Sequence, residues 1–92
     1  MIRIVHCKKE NFDVYIGRPS IWGNPFKIGI HGNRKEVIEK YKEYVLTNPL
    51  LMSQIMTLDR KTLGCWCSPH PCHGEALAEI IQEIKDGKIK IS

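Results

Sequence analysis

Apolar residues follow two rhythms along this chain. Ile2-Arg3-Ile4-Val5-His6 is short and β-branched, which predicts a first strand. In Phe12–Ile16 the residues alternate, placing Phe12, Val14 and Ile16 on one face of a second strand and Asp13 and Tyr15 on the other. Gly17 ends that run, and Arg18 to Phe26, with two prolines, a glycine and an asparagine, predicts a loop. The rhythm then lengthens. Val37, Ile38, Tyr41, Tyr44 and Val45 recur at helical spacing, so a helix is expected from Asn33 or Arg34 to Leu46, with Asn33 as its cap. Asn48-Pro49 is a second start signal, and Leu50, Leu51, Ile55 and Leu58 predict a shorter helix after it. Lys61 to Cys67 reads as the central strand. A last helix is expected from His73 to Lys85, burying Leu77, Ile80, Ile81 and Ile84 and closed by Asp86-Gly87. Lys88-Ile89-Lys90-Ile91 alternates again and predicts a final edge strand.

This order, β, β, long loop, α, α, β, α and a final β, predicts a small α/β fold: a sheet of about three to four strands with helices packed on it, in a Rossmann-like three-layer or a two-layer arrangement. Ninety-two residues make one such domain, spanning 1–92, and are too few for two. If the cysteine-bearing strand pairs parallel to the first, its carboxyl end lies at the crevice where parallel sheets bind ligands.

Composition narrows the classes. The apolar fraction, 42%, is that of an ordinary soluble globule. No apolar run approaches the roughly 18 residues of a membrane span, and Met1-Ile2-Arg3-Ile4-Val5-His6-Cys7 turns polar too early for a signal peptide. A cytoplasmic location is expected, where cysteines stay reduced and act as thiols or ligands. Fourteen Lys and Arg against ten Asp and Glu allow an anionic partner without requiring one.

The densest chemistry lies at Cys65-Trp66-Cys67-Ser68-Pro69-His70-Pro71-Cys72-His73-Gly74, where a strand pattern turns into a helix pattern. Cys65, Cys67, Cys72 and His73 are donors of the number and type that suit tetrahedral zinc, with His70, His6 and Cys7 as substitutes. Their spacing is poor for it: Cys65 and Cys67 share one face of a strand, and Cys72 and His73 are adjacent. A second reading makes Cys72 a thiol activated at the helix start, with His73 as its partner and Cys65 or Cys67 resolving an oxidised sulfur. A third makes the amides around His73, Gly74 and Glu75 a cradle for phosphate or carboxylate. Against all three, cysteines are often simply core, Cys65 above all.

Tyr15-Ile16-Gly17-Arg18 and Trp22-Gly23-Asn24-Pro25-Phe26 form the second unusual stretch. Arg18 suits a forked contact with phosphate or carboxylate, Trp22 or Tyr15 could stack on a ring, and Asn24 could read polar edges. The plainer alternative is that Trp22 and Phe26 plug the core. Val14-Tyr15-Ile16-Gly17-Arg18-Pro19-Ser20-Ile21-Trp22-Gly23-Asn24-Pro25-Phe26 together with Leu63-Gly64-Cys65-Trp66-Cys67-Ser68-Pro69-His70-Pro71-Cys72-His73-Gly74-Glu75 resembles domain of unknown function 4326. That resemblance implies a small protein of bacteria or their phages, with both motifs in one site and no activity attached.

The expectation is a nucleotide or nucleoside-like ligand in a pocket between the two motifs. Tyr15, Arg18, Trp22, Asn24 and Gly74 would bind it, and Cys72 and His73 would be the reactive pair if there is catalysis. The alternative is a zinc-stabilised, non-catalytic module that binds nucleic acid through Lys8, Lys9, Arg18 and Lys27.

Overall fold

The computed structural model describes residues 2–66 and 72–89. The first strand, β1, is Arg3–His6, the second, β2, is Val14–Tyr15, and the third, β3, is Thr62–Cys65. They form one parallel sheet in the order β1-β3-β2, with Val5 opposite Gly64 and Val14 opposite Leu63. Hydrogen bonds from Asp13 N to Thr62 O (2.8 Å) and Ile16 N to Gly64 O (2.9 Å) continue the β2 pairing to either side of its two residues. The expected Phe12–Ile16 strand is therefore shorter as a strand, although Asp13 and Ile16 still bond to β3, and Phe12 belongs to the crossing that leads into it.

That crossing explains a glycine in the central strand. β1 and β2 are the two edges, so the chain between them must pass across β3 on one face. Gly64 lies under it: a Cβ there would meet the Phe12 ring at 2.6 Å. Leu63 and Cys65 point to the opposite face and belong to the main core, at 0% and 1% exposure.

The helices cover that opposite face. The first, α1, is Arg34–Leu46; the second, α2, is Pro49–Gln54 and runs into a 3-10 turn at Ile55–Leu58; the third, α3, is His73–Lys85. Asn33 caps α1 with a full capping box: its side chain accepts from Glu36 N, and Glu36 Oε1 accepts from Asn33 N. Asn48 caps α2, with Pro49 at its first position. Both starts are where the sequence puts them. α3 buries Ala76, Leu77, Ile80 and Ile81 against Tyr41 and Val45 of α1 and Leu63 of β3, with each of the Leu and Ile side chains contributing about 1.5–3 kcal/mol. Gly87, at φ +78°, turns the chain out of α3, so that the Gly87 amide reaches Ile84 O and the Lys88 amide reaches Glu83 O. Ile89 N also bonds Glu83 O, at 3.3 Å, so Lys88 and Ile89 cap the helix instead of opening a strand. The rest of the expected Lys88–Ile91 strand lies outside the described residues.

Candidate functional site

All three strands run in the same direction, and their carboxyl ends carry the unusual residues. β2 delivers Ile16, Gly17 and Arg18; β3 delivers Trp66; and α3 starts beside them with Cys72 and His73. The first turns of α1 close the opposite wall. Together they line a cavity of about 360 Å³ whose walls include Gly17, Arg18, Asn24, Lys27, Arg34 and Trp66, with Phe26, Val37 and Cys72 among the apolar surfaces. The parallel pairing of β1 and β3 thus puts the two motifs at one edge, as expected of such sheets.

The loop between β2 and α1 is held from below. Tyr41 of α1, fully buried, donates its hydroxyl hydrogen to Trp22 O at 2.7 Å. Burial holds that phenol far above its ordinary titration range, with Tyr44 and Cys72 as smaller contributors, so it stays a donor. Trp22 itself is 4% exposed and part of the core cluster. It is an anchor for the loop and has no face to offer a ligand. Asn24 folds the next residues: its Oδ1 accepts from Phe26 N at 2.9 Å, and its Nδ2 reaches Val37 O at 3.5 Å. Arg18 follows a similar logic from the other side. Tyr15 donates its hydroxyl to Arg18 O at 3.1 Å while accepting from Trp66 Nε1 at 2.7 Å. Tyr15 therefore orients Arg18 and Trp66 from behind and does not line the cavity.

Trp66 takes the place expected for Trp22. It is 55% exposed at the mouth of the cavity, with Lys8 Nζ 5.5 Å from its ring centroid and the His6 ring edge-on at 5.7 Å. Sequence reasoning singled out the cysteines on either side of Trp66 and passed over it. It also passed over Arg34, whose position straight after the Asn33 cap puts it at the amino-terminal, cavity-facing end of α1. Lys27 appeared only as a nucleic-acid contact. Arg18, Lys27 and Arg34 give the cavity three cationic groups, and among its described lining residues there is no Asp or Glu.

At the start of α3, His73 and Cys72 do not face each other as the expected reactive pair but take different partners. His73 is 7% exposed, with Nε2 at 2.6 Å from Ile16 O and its ring edge-on to Tyr41 at 4.9 Å. Facing a carbonyl, Nε2 must carry the hydrogen. Burial holds the imidazole below its ordinary 6.5, and the nearby Arg18 charge pushes the same way, so His73 is neutral near pH 7. His73 thus ties α3 to the end of β2 and does not address the neighbouring thiol through Nε2. Cys72, 3% exposed, is the cap of α3, and its Sγ accepts from Gly74 N at 3.3 Å. Of the His73, Gly74 and Glu75 amides expected to cradle an anion, that of Gly74 is already taken by sulfur and that of Glu75 by Cys72 O at 3.0 Å. Gly74 is packed close under the sheet, where a Cβ would lie 2.9 Å from Ile16 Cδ1 and 3.0 Å from Ile4 Cδ1.

Cys65 Sγ lies 3.2 Å from Cys72 Sγ, both buried. Of the four zinc donors proposed from sequence, these two are brought together, Cys67 and the substitute His70 lie outside the described residues, and His73 is turned to Ile16. Among the described residues no group of three or more His, Cys, Asp or Glu could hold a metal ion. No described helix is long and apolar enough to cross a membrane.

Two viral proteins are similar to most of this chain. An uncharacterized 12.4 kDa protein from the nrdA-td intergenic region of Enterobacteria phage T4 is 33% identical, across 91% of this chain and 81% of its own length. The uncharacterized protein R718 of Acanthamoeba polyphaga mimivirus is 34% identical, across 92% of this chain and 81% of its own. No solved structure matches. The family model for the domain of unknown function DUF4326 matches residues 3–83, a span that runs from β1 through nearly all of α3 and takes in every cavity residue named above, and the chain belongs to that family.

Proposed function

We propose that the protein binds a small anionic ligand bearing a ring, of the nucleotide or nucleoside-like class, in the cavity at the carboxyl edge of its sheet. The observation that carries this is the charge of the walls: Arg18, Lys27 and Arg34 converge on a space with no carboxylate among its described lining residues. Cations so placed raise the local concentration of anions and reward a negatively charged group that stays. Trp66 at the mouth and Phe26 inside supply flat apolar surface for a ring, while Asn24, whose amide accepts from Phe26 N and reaches Val37 O, shapes the wall beside them. A few polar groups on a mostly apolar wall is the usual make-up of a small-molecule site, and about 360 Å³ falls within the usual size range of about 300–1,000 Å³.

The same residues favour binding over catalysis. His73 is neutral and spends Nε2 on Ile16 O, so it stands as a structural tie rather than as a general base. Cleavage of a sugar–base bond would call for an acidic partner, and none lines the described walls.

Calorimetric titration with adenosine 5′-monophosphate, adenosine and inorganic phosphate tests the reading. The monophosphate should bind more tightly than either part, and more weakly as salt is raised. Arg18→Ala should weaken it by about 10- to 100-fold, the loss of a charged hydrogen-bonded contact of about 1.5–3 kcal/mol. Equal affinity in wild type and Arg18→Ala, or no heat from any of the three ligands up to millimolar concentration, would sink it.

A further inference from the structure

We propose that Cys65 and Cys72 form a site of reversible covalent modification, closing to an intramolecular disulfide when a hydroperoxide enters the cavity. The proposal does not depend on which ligand the cavity binds. The sulfurs are already 3.2 Å apart, one at the end of β3 and the other at the start of α3. A disulfide bond is about 2 Å long, so closure needs a movement of about 1 Å, shared between a strand end and a helix cap.

The two thiols are not equivalent, and the difference assigns their roles. Cys72 lines the cavity, so a small oxidant reaches it first; Cys65 does not line it. An N–H aimed at Cys72 Sγ, from Gly74 at 3.3 Å, stabilises negative charge on that sulfur at the start of a 13-residue helix. Cys72 is therefore the attacking thiolate and Cys65 the resolving thiol. In the first step the Cys72 thiolate sulfur bonds to the hydroperoxide's terminal oxygen, the O–O bond breaks, and the alkoxide leaves as the alcohol by taking up the proton that the Cys72 thiol released. Cys72 is then a sulfenic acid. In the second, Cys65 sulfur bonds to Cys72 sulfur, the S–O bond breaks, and hydroxide leaves as water with the Cys65 proton. Two thiols give up two electrons, and the hydroperoxide is reduced to alcohol and water.

Cys67 is the competing resolver in sequence, and a single tryptic fragment, Thr62–Lys85, holds all three cysteines. The test is mass spectrometry of full-length protein treated with hydrogen peroxide, then digested with chymotrypsin, which cuts after Trp66 and separates Cys65 from the other two. The expected result is that a fragment ending at Trp66 stays linked to the fragment carrying Cys72 until a reductant is added. It should do so equally in Cys67→Ser protein. A thermal melt gives a second readout that needs no variant: a bridge across this short segment should raise the Tm by on the order of 10 °C, reversed by reductant. Release of the Trp66-ending fragment without reductant, loss of the link in Cys67→Ser, or one tightly held zinc per untreated chain would each overturn the proposal.

Discussion

α1 and α3 both begin at the wall of the same cavity, and they begin differently. α1 starts behind Asn33, an exposed residue that satisfies Glu36 N while the Glu36 carboxylate satisfies Asn33 N. α3 starts behind Cys72, a buried residue whose sulfur, a weak acceptor, takes the amide hydrogen of Gly74. Asn, Asp, Ser and Thr are the residues that capping favours, and this chain uses Asn for both α1 and α2. The sulfur cap of α3 thus gives up local stability that the other two helices keep. What it obtains is a polarisable, apolar-tolerant group beside Cys65 and on the cavity wall. The start of α1 is built to hold a helix; the start of α3 is built around the site.

Breaking the contrast starts with the tie beneath it. Tyr41→Phe leaves Trp22 O buried without its donor, which should cost about 2 kcal/mol in a urea titration and loosen the loop that carries Asn24. The start of α3 should also show in the pH dependence of stability. His73 has a depressed titration range in the folded protein, so the unfolded chain binds the proton more readily. Stability is then fully present above 6.5 and falls as the pH drops below it, by at most about 1.4 kcal/mol per pH unit. In His73→Phe that part of the slope should vanish, as read from denaturant midpoints between pH 7 and 5. Substituting each cap in turn measures the two helix starts against each other. Asn33→Ala should cost about 1 kcal/mol, because both arms of the capping box go. Cys72→Ser should cost less than about 1 kcal/mol, since the better hydroxyl cap offsets the poorer burial. A large loss in Cys72→Ser and none in Asn33→Ala would reverse the account of the two starts.

The sequence carried the helices well because their signals are local. Asn33, the Asn48-Pro49 pair and Gly87 each fix a boundary through their own backbone chemistry, and the stripe of Leu77, Ile80 and Ile81 faces the core. β2 was less legible, because where it begins depends on the crossing over Gly64, which pairing order alone decides. At the cavity, residue types marked the corner where the strands' carboxyl ends meet the start of α3, but not which side chains line the space. Trp22 and Trp66 are alike in sequence. Only the Tyr41 hydroxyl on Trp22 O and the Tyr15 hydroxyl on Trp66 Nε1 settle which of the two is anchored in the core and which stands at the mouth. Arg34 carried no motif, and a helix-start residue shows its value only when the opposite wall is in place. His73 and Cys72 are adjacent in the chain, which made them look like a pair. The helix turns them to different partners, Ile16 O for one and Gly74 N and Cys65 for the other.

The central claim is that the space between the two helix starts holds an anionic, ring-bearing ligand. Two-dimensional ¹H–¹⁵N NMR during titration with adenosine 5′-monophosphate tests it most directly, because it reads every amide and both indole N–H groups at once. The account predicts the largest shifts at Gly17, Arg18, Lys27, Arg34 and the Trp66 indole, with the buried Trp22 indole moving less. Shifts confined to the Cys7–Asn11 loop with its Lys8 and Lys9, or spectra unchanged at millimolar ligand, would contradict it.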